Sequence, residues 1–254
     1  MNDQNVSAAR VKQTVCFSIV SHGHGALIGP LLASIAQRGL IDPLRDQIIV
    51  TINIPEDEAF LVAGSALPIA VLRNPSPKGF GANHNAAFQR CASQVFCVLN
   101  PDLDLESLAP RFMFEVLEDP TVGAWAPVVH SPRMTIEDSA RRFPTLPILF
   151  RRTFLKQRTN DYEIEDQPVS VDWVAGMFIA FRSSVYSGIR GFDESYHMYM
   201  EDVDICRRLG RAGLKVIYDP RTAVRHDARR DSRRKLKYLM WHLASAARFL
   251  LGSR

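Results

Sequence analysis

The sequence predicts an α/β protein with a doubly wound, mainly parallel sheet, flanking helices and an amphipathic C-terminal helix. Three observations support this class. Short apolar runs alternate with amphipathic helical segments in the first hundred residues, as in strands joined by crossover helices. The length of 254 residues allows one large core. Hydrophobic residues make up 46% of the chain and charged residues 23%, which is ordinary for a soluble globular protein.

The alternation can be followed element by element. Apolar, β-branched runs predict strands at Val15–Ser21, residues 47–54, residues 69–72 and Val95–Leu99. One helix is predicted over residues 26–38, and a second over residues 83–92 follows a glycine turn. Because ligands bind beyond the carboxyl ends of parallel strands, the loops that follow the strands are predicted to form one binding edge.

The second half of the chain begins with a different kind of segment. Residues 127–168 are polar and contain several prolines, so they are predicted to form a long irregular crossover with a short helix near 146–156. Residues 173–181 are predicted to return as a strand, and residues 216–218 form another.

Three carboxylates fall within four residues at Glu201, Asp202 and Asp204, directly before an apolar pattern with helical spacing. The first turn of a helix favours anions because its N–H groups are free and its dipole is positive there. A carboxylate that stays ionised at such a place can accept a proton near neutral pH. Taken alone, the cluster fits equally well an acidic first turn on a solvated helix.

Three stretches carry a resemblance to a known family. Residues 74–85 read NPSPKGFGANHN, residues 99–102 read LNPD, and residues 171–226 carry the acidic cluster after GFDESYHMYM. In this order they resemble family-2 inverting glycosyltransferases of the GT-A fold, especially the bacterial rhamnosyltransferase-like branch. The resemblance covers roughly residues 14–226. It implies a GT-A domain over residues 12–226, with a donor half at about 12–126 and an acceptor half at about 127–226.

The resemblance implies a metal-dependent inverting glycosyltransferase that moves a sugar from a nucleotide sugar to a saccharide acceptor in cell-surface polysaccharide synthesis. The branch favours rhamnose from dTDP-rhamnose, and a lipid-linked acceptor suits the basic tail. Two alternatives stay open: the same fold using a UDP- or GDP-sugar, and a non-catalytic sugar- or nucleic-acid-binding protein. Nucleic acid is not an expected partner, because the tail lacks the aromatic platform or base-reading motif that such binding uses.

For the acceptor side, the resemblance implies that Asp202 is the base that deprotonates the attacking hydroxyl. Glu201 is expected to support it or to bind acceptor hydroxyls. Acceptor contacts are also expected from Trp173, Gly176 and Asp204. A buried core position is the alternative for Trp173, and Asp204 is also expected to orient the start of its helix.

For the donor side, the residues that match family positions are Ser21, His22, Asn53, Lys78, Gly79, Phe80, Asn85, Asn100 and Asp102. Lys78 can pair with phosphate, and the glycines permit a close approach of backbone to ligand. Two departures from the family pattern concern this group. Asn100 replaces the first Asp of the Asp-x-Asp motif, and Ile52-Asn53 stands where the family often has Asp-Asn.

A divalent cation is the expected cofactor, because breaking the sugar–phosphate bond builds negative charge on the leaving nucleoside diphosphate. Asp102 follows a strand and matches the last Asp of the metal motif, and the resemblance implies His226 as a second ligand. Mg²⁺ and Mn²⁺ are both candidates, and an imidazole ligand suits Mn²⁺ better. A turn-forming aspartate and a structural histidine are the alternatives.

The tail differs in charge from the body. Residues 221–254 hold ten Lys and Arg and two acids, a net charge of +8, while the remainder carries −4. Residues 227–254 are predicted to form a basic amphipathic helix that lies on an anionic membrane surface, docks on its own domain or joins a second subunit in a homodimer. The chain lacks an apolar run of about 18 residues and the apolar core of a signal peptide. It is therefore expected in the cytoplasm, with peripheral attachment to the inner face of the cell membrane.

Overall fold

The computed structural model describes residues 13–145, 161–227 and 236–252. The strands are β1 (Val15–Ser21), β2 (Gln47–Ile52), β3 (Ile69–Arg73), β4 (Val95–Leu99), β5 (Leu103–Asp104), β6 (Val122–His130), β7 (Ala140–Arg141), β8 (Val169–Val171), β9 (Trp173–Val174), β10 (Phe178–Arg182) and β11 (Lys215–His226). The helices are α1 (Gly25–Gln37), α2 (Phe80–Phe88), α3 (Pro110–Leu117), α4 (Ser183–Gly188), α5 (Glu201–Arg211) and α6 (Leu236–Leu251), and a 3₁₀ helix spans Ala59–Gly64.

One twisted sheet runs through the molecule. Its strand order is β3-β2-β1-β4-β10-β6-β11-β5, and β8 pairs with β11. Strands β3, β2, β1 and β4 are parallel to one another, as are β6 and β11. Strand β10 runs antiparallel between β4 and β6. The predicted α/β class with a mainly parallel, helix-flanked sheet is therefore confirmed.

The core lies on both faces of this sheet. Phe17 and Ile19 of β1 belong to one apolar cluster, which α1 and α3 cover, whereas Cys16, directly before Phe17, belongs to the other. This alternation follows from the two-residue period of a strand. Burying each large apolar side chain stabilises the fold by about 1.5–3 kcal/mol relative to exposure. The two clusters therefore fix which side chains of each strand point to which face of the sheet.

Helix α2 differs from its prediction. It begins at Phe80, three residues before the predicted start, and ends at Phe88. The sequence Gly79-Phe80-Gly81 indicates a turn, but in the structure Gly81 lies inside the helix, where a Cβ atom would stand 2.6 Å from the Cβ of Phe192. The glycine therefore serves a close helix contact.

The prediction of one strand over residues 173–181 is wrong. The chain forms β9, turns near Gly176 and then forms β10 in the main sheet, while β9 pairs with β7 in a separate two-stranded sheet. The predicted irregular crossover is also partly wrong, because β6 continues to His130 and β7 lies within it. The helix predicted near residues 146–156 lies outside the described residues.

Helix α6 lies within the predicted tail, and residues 228–235 and 253–254 of that tail lie outside the described part of the chain. Ser245, Ala246 and Phe249 are buried against the body of the protein, and the Arg207 guanidinium stacks on the Phe249 ring at 3.9 Å. Docking on its own domain, one of the three alternatives for the tail, is thus observed for this part of α6. None of the helices within residues 13–145, 161–227 and 236–252 combines the length and apolarity that a bilayer crossing requires.

Candidate functional site

The donor-side loops, which follow β1, β2 and β3, are tied together by amide side chains. Asn53 is buried directly after β2. Its Oδ1 accepts hydrogen bonds from Lys78 N at 2.8 Å and Asn74 Nδ2 at 2.9 Å, and its Nδ2 donates to Lys78 O at 3.0 Å. The same Nδ2 lies 3.0 Å from Nδ1 of His22. Asn53 thus holds the loop after β3 in place through these hydrogen bonds. Its predicted contact with a nucleotide stays a prediction.

The end of β1 is held in a similar way. Ser21 is fully buried and its Oγ accepts a hydrogen bond from His24 N at 3.1 Å. His22 and Lys78 are exposed. The amine of Lys78 is therefore open to solvent at the strand edge where the sequence predicts a phosphate contact.

Gly79 joins the donor-side loops to the acceptor half. A Cβ atom here would lie 2.5 Å from the carbonyl oxygen of His197, closer than side chains approach a backbone. The neighbouring Phe80 N donates to the same oxygen at 3.1 Å. A side chain at position 79 would therefore clash, so glycine is required here. The close approach that requires it is to the chain's own backbone, whereas the prediction was a close approach to a ligand.

Asn85 lies near the start of the predicted helix, but in the structure it is the sixth residue of α2, because α2 begins earlier, at Phe80. Its Oδ1 accepts hydrogen bonds from Tyr186 Oη at 2.7 Å and Phe192 N at 3.0 Å. Its Nδ2 donates to Phe192 O at 2.9 Å and Glu194 Oε1 at 3.0 Å. Both ends of this amide fasten α2 to the loop before α5, and the predicted contact of Asn85 with the donor stays a prediction.

Asp102 and His226 meet at the carboxyl end of β4. Strand β5 pairs antiparallel with the last residues of β11, and this pairing brings His226 Nε2 to 3.2 Å from Asp102 Oδ2. Glu137 Oε2 lies 3.1 Å from the other ring nitrogen, Nδ1. Asn100 lies two residues before Asp102, half-buried, with its N–H donating to Met177 O at 2.8 Å. Asp104 is turned away and pairs with Arg225.

The charges around His226 favour its protonated form. Burial lowers the pKa of its imidazole, but hydrogen bonds and negative charge from Asp102 and Glu137 outweigh burial and raise the pKa above its ordinary value. Glu137 carries no predicted role, and nothing in the sequence links it to a histidine 89 residues away.

The Asp102–His226 pair can be tested as a metal site. The described residues contain no group of three or more His, Cys, Asp or Glu side chains arranged to hold a metal. Asp102 Oδ1 is nevertheless buried without a hydrogen-bond partner among these residues, and Glu137 orients the imidazole. One carboxylate and one imidazole suit a cation that takes its other ligands from a bound diphosphate and water. The residues present therefore fit a divalent cation with two protein ligands.

Glu201 and Asp202, here called the dyad, begin α5 as predicted. Asp202 is half-buried. Its Oδ2 accepts a hydrogen bond from Gly176 N at 3.1 Å and its Oδ1 from Val203 N at 2.9 Å. The turn between β9 and β10 thus presents the backbone of Gly176 to this carboxylate, which fixes the direction in which Asp202 faces.

The two carboxyl groups of the dyad have different surroundings. Glu201 is buried, and its Oε2 has no hydrogen-bond partner among the described residues. Burial and the neighbouring Asp202 charge raise the pKa of Glu201 to about 8. Burial also raises the pKa of Asp202, while its backbone hydrogen bonds and the positive charge of Arg141 oppose that rise. Two adjacent acids with different environments can divide proton-holding and proton-accepting tasks.

Arg141 approaches the dyad from β7. Its guanidinium lies over the Trp173 ring at 5.2 Å, and its Nε donates to Asp138 O at 2.8 Å. Trp173 is buried, and its Nε1 donates to Arg142 O at 2.9 Å. The Arg141-Arg142 pair is visible in the sequence, but its pattern alone does not show which side chain faces α5.

Asp204 lies on another side of α5. It is buried, with Oδ1 accepting from Arg207 Nη2 at 3.1 Å and Oδ2 from Arg208 Nε at 2.8 Å. Both oxygens hold the helix together, in line with the expected orienting role. The expected acceptor contact of Asp204 has no support in this arrangement.

Comparison with known proteins identifies the class to which this geometry belongs. Residues 13–240 match the family described as Glycosyltransferase like family 2. Rhamnosyltransferase WbbL of Escherichia coli (strain K12) is 30% identical over 251 residues, which cover 93% of this chain and 92% of that protein. The N-acetylglucosaminyl-diphospho-decaprenol L-rhamnosyltransferase of Mycobacterium tuberculosis is 34% identical over 143 residues, or 52% of this chain and 46% of that protein.

Solved structures share the fold. A mannosyltransferase from Pyrobaculum calidifontis in complex with GDP-Man and Mn²⁺ superposes with a TM-score of 0.65 at 17% identity, over 94% of this chain and 65% of that one. GalNAc-T7 with UDP, GalNAc and Mn²⁺ gives a TM-score of 0.64 at 15% identity, over 87% of this chain and 45% of that one. This chain thus spans less than two thirds of either structure, and the expected GT-A fold is confirmed.

Proposed function

The chain belongs to Glycosyltransferase like family 2 and is a sugar-transferring enzyme, and we propose that it moves rhamnose from dTDP-rhamnose to a lipid-linked saccharide. The observation that carries this proposal is the carboxylate of Asp202, held by two backbone N–H groups at the start of α5. Two relatives named as rhamnosyltransferases support the choice of sugar. The diphospho-decaprenol in the name of the second supports the class of acceptor.

The proposed reaction is a single inverting displacement. Asp202 takes the proton of the acceptor hydroxyl as that oxygen attacks the anomeric carbon from the face opposite the diphosphate. A new carbon–oxygen bond forms, the anomeric carbon–phosphate oxygen bond breaks, and its electron pair leaves with the nucleoside diphosphate. Glu201, whose pKa is near 8, holds its proton at neutral pH and leaves Asp202 as the ionised member of the dyad.

We assign Asp102 and His226 as the protein ligands of a divalent cation, Mg²⁺ or Mn²⁺. A bound cation neutralises negative charge on the leaving diphosphate. Support comes from the unpartnered Asp102 Oδ1 and from the 3.2 Å approach of His226 Nε2. The Mn²⁺ in two solved structures of this fold agrees with the assignment. Lys78, exposed in the donor-side loops, is proposed to pair with a phosphate.

Peripheral attachment to a membrane is part of the same proposal, because a lipid-linked acceptor stays in the bilayer. Basic residues at 233, 234, 235 and 237 precede or begin α6. Each basic residue near an anionic surface contributes about 1 kcal/mol, and the attraction weakens with salt. The enzyme is proposed to work at the cytoplasmic face, drawn to anionic lipid headgroups by the charge of these basic residues.

The donor is tested with a panel of nucleotide sugars. Purified enzyme receives dTDP-rhamnose, UDP-sugars or GDP-sugars with Mg²⁺ or Mn²⁺, and a short-chain N-acetylglucosaminyl diphosphate lipid as the acceptor. We expect transfer from dTDP-rhamnose and the largest thermal shift with dTDP-rhamnose plus metal. Transfer from a UDP- or GDP-sugar would instead support the alternative of the same fold with another nucleotide sugar. The two solved structures contain UDP and GDP-Man. Absence of transfer from every donor would reject the proposal.

Membrane attachment is tested separately by sedimentation with vesicles of anionic phospholipid. We expect the full chain to bind at low salt and to release at high salt. Neutral vesicles serve as the control. A full chain that ignores anionic vesicles at low salt would remove the membrane part of the proposal, and a dimer in solution would favour the second-subunit alternative.

A further inference from the structure

The segment directly before the dyad, residues 197–200, is held from two sides. His197 O accepts the N–H of Phe80 from the donor-side loops at 3.1 Å. The next carbonyl, Met198 O, accepts the hydroxyl of Ser245 from α6 at 3.0 Å. Helix α6 therefore contacts the same short segment that accepts the hydrogen bond from Phe80. The residue that it contacts, Met198, lies three residues before Glu201 and four before Asp202.

This segment has an unusual backbone. Tyr199 and Met200 both have φ of 69°, in the left-handed region. Residues other than glycine adopt this conformation at a cost and keep it only where their surroundings hold it. Met200 is buried, and its carbonyl accepts the N–H of Asp204 at 2.8 Å in the first turn of α5. The direction of the dyad thus depends on two strained residues.

Helix α6 is also fixed to α5 itself. Arg207 Nη1 donates to Phe249 O at 3.0 Å, and the guanidinium stacks on the Phe249 ring at 3.9 Å. The same guanidinium bonds to Asp204 at 3.1 Å. Ser245 and Phe249 are 7% and 5% exposed, so both contacts lie in a packed interface. Contact at two points, before the dyad and after it, restrains the helix start between them.

We propose that helix α6 is part of the catalytic apparatus and that Ser245 is a positioning residue, which holds the dyad in place through Met198. Arg207 and Phe249 anchor the helix so that the Ser245 hydroxyl reaches the Met198 carbonyl. Without this bond the left-handed pair relaxes, and Asp202 leaves the position in which it meets the acceptor hydroxyl. A misplacement of about 1 Å is enough to reduce a rate about 100-fold.

The test compares full-length variants. Ser245→Ala removes the hydroxyl, Ser245→Thr keeps it, and Ala247→Ser adds a hydroxyl at an exposed position of the same helix as a control. We expect Ser245→Ala to lower kcat about 10- to 100-fold and to leave the KM for donor within about twofold. Ser245→Thr should recover most of the rate, and the control should match the parent enzyme.

A second measurement needs no substrate and so separates this inference, which rests on the proposed role of Asp202, from the proposed donor and acceptor. Hydrogen–deuterium exchange of the peptide covering residues 197–202 should rise in Ser245→Ala, while exchange in β1 and β4 stays unchanged. Phe249→Leu, which removes the ring but keeps apolar volume, should increase exchange in the same peptide. Unchanged exchange at 197–202, or a general loss of protection with normal kcat for the folded enzyme, would show that α6 is only a structural cover.

Discussion

The donor-side loops and the dyad lie on either side of one contact, the hydrogen bond from Phe80 to His197, yet they treat buried polar groups differently. In the loops, both ends of the Asn53 amide are bonded and hold the backbone of Lys78. In the dyad, Glu201 is buried with Oε2 unpartnered and a raised pKa. Satisfied amides make a preformed cradle, whereas the buried, unpartnered carboxyl of Glu201 favours its protonated form beside Asp202.

The largest effect should come from removing the base. Asp202→Asn keeps the shape and the hydrogen bond from Gly176 but cannot accept a proton, so we expect transfer to fall about 10²- to 10⁴-fold. Binding of the donor, measured by calorimetry, should stay within about twofold, because the donor-side loops are unchanged. Asp166→Asn, at an exposed carboxylate, is the control. Near-normal transfer by Asp202→Asn would show that Asp202 is not the base and make Glu201 the candidate. It would also weaken the contrast between the donor-side loops and the dyad.

The next effect concerns the cation. Asp102→Ala should weaken binding of a nucleoside diphosphate about 10- to 100-fold when Mg²⁺ or Mn²⁺ is present, and should have no effect with a chelator. His226→Ala should show the same dependence to a smaller degree. Asp104→Asn, whose carboxylate faces Arg225, is the matched control. If nucleoside diphosphate binding weakened equally with and without chelator, Asp102 would not hold a metal. It would instead fix the shape of its turn, as the amides do in the donor-side loops.

A smaller effect is expected from the amide cradle. Asn53→Ala removes the buried oxygen that accepts hydrogen bonds from Lys78 N and Asn74 Nδ2, which should cost about 1–3 kcal/mol of folding free energy. For a domain of this size each kcal/mol corresponds to about 2–4 °C of Tm. Thermal unfolding measures the loss, with the exposed Gln167→Ala as the control. A Tm equal to that of the parent would argue that the loop, like the dyad, tolerates unsatisfied groups.

The last effect is the pH dependence of stability contributed by Glu201. Its pKa rises from 4.5 to about 8 on folding, so the folded protein binds more protons between these values. The stability from this group is present below pH 4.5 and is lost as pH rises through about 8. Each pH unit between these two pKa values costs about 1.4 kcal/mol, and Glu201→Gln lacks this loss, so its Tm relative to the parent should increase by about 10 °C from pH 5 to pH 8. A constant difference across this range, measured beside exposed Glu163→Gln, would mean that Glu201 is ionised in the native enzyme.

Much of the frame could be predicted because its signals are local. Strands β1 and β4 have the predicted limits, since their apolar runs end at polar residues. The start of α5 also follows from its acidic first turn and apolar spacing. The turn at Gly176, in contrast, divides a run that looks like one strand, because its backbone N–H bonds to Asp202, 26 residues away. Apolar periodicity does not contain that information.

The site was less predictable than the frame because its contacts are distant in sequence. The resemblance named Asp102 and His226 together, and their contact was found. Glu137 was missed, since its link to His226 depends on how β11 lies beside β6. Asn53 and Asn85 were assigned to the donor by position, but an amide bonds equally well to backbone or ligand. Only the three-dimensional neighbours show that Asn85 fastens α2 to the loop at Phe192.

The short pairing of β5 with β11 has a consequence for how the protein is made. It joins Leu103 to His226 across more than a hundred residues, so the Asp102–His226 contact cannot form until β11 has left the ribosome. Synthesis proceeds from the N-terminus, and a domain folds as a unit. The Asp102 corner is therefore still open in any nascent chain that lacks β11. The proposed cation site is thus complete only in the finished sheet, and chains interrupted during translation would lack its histidine.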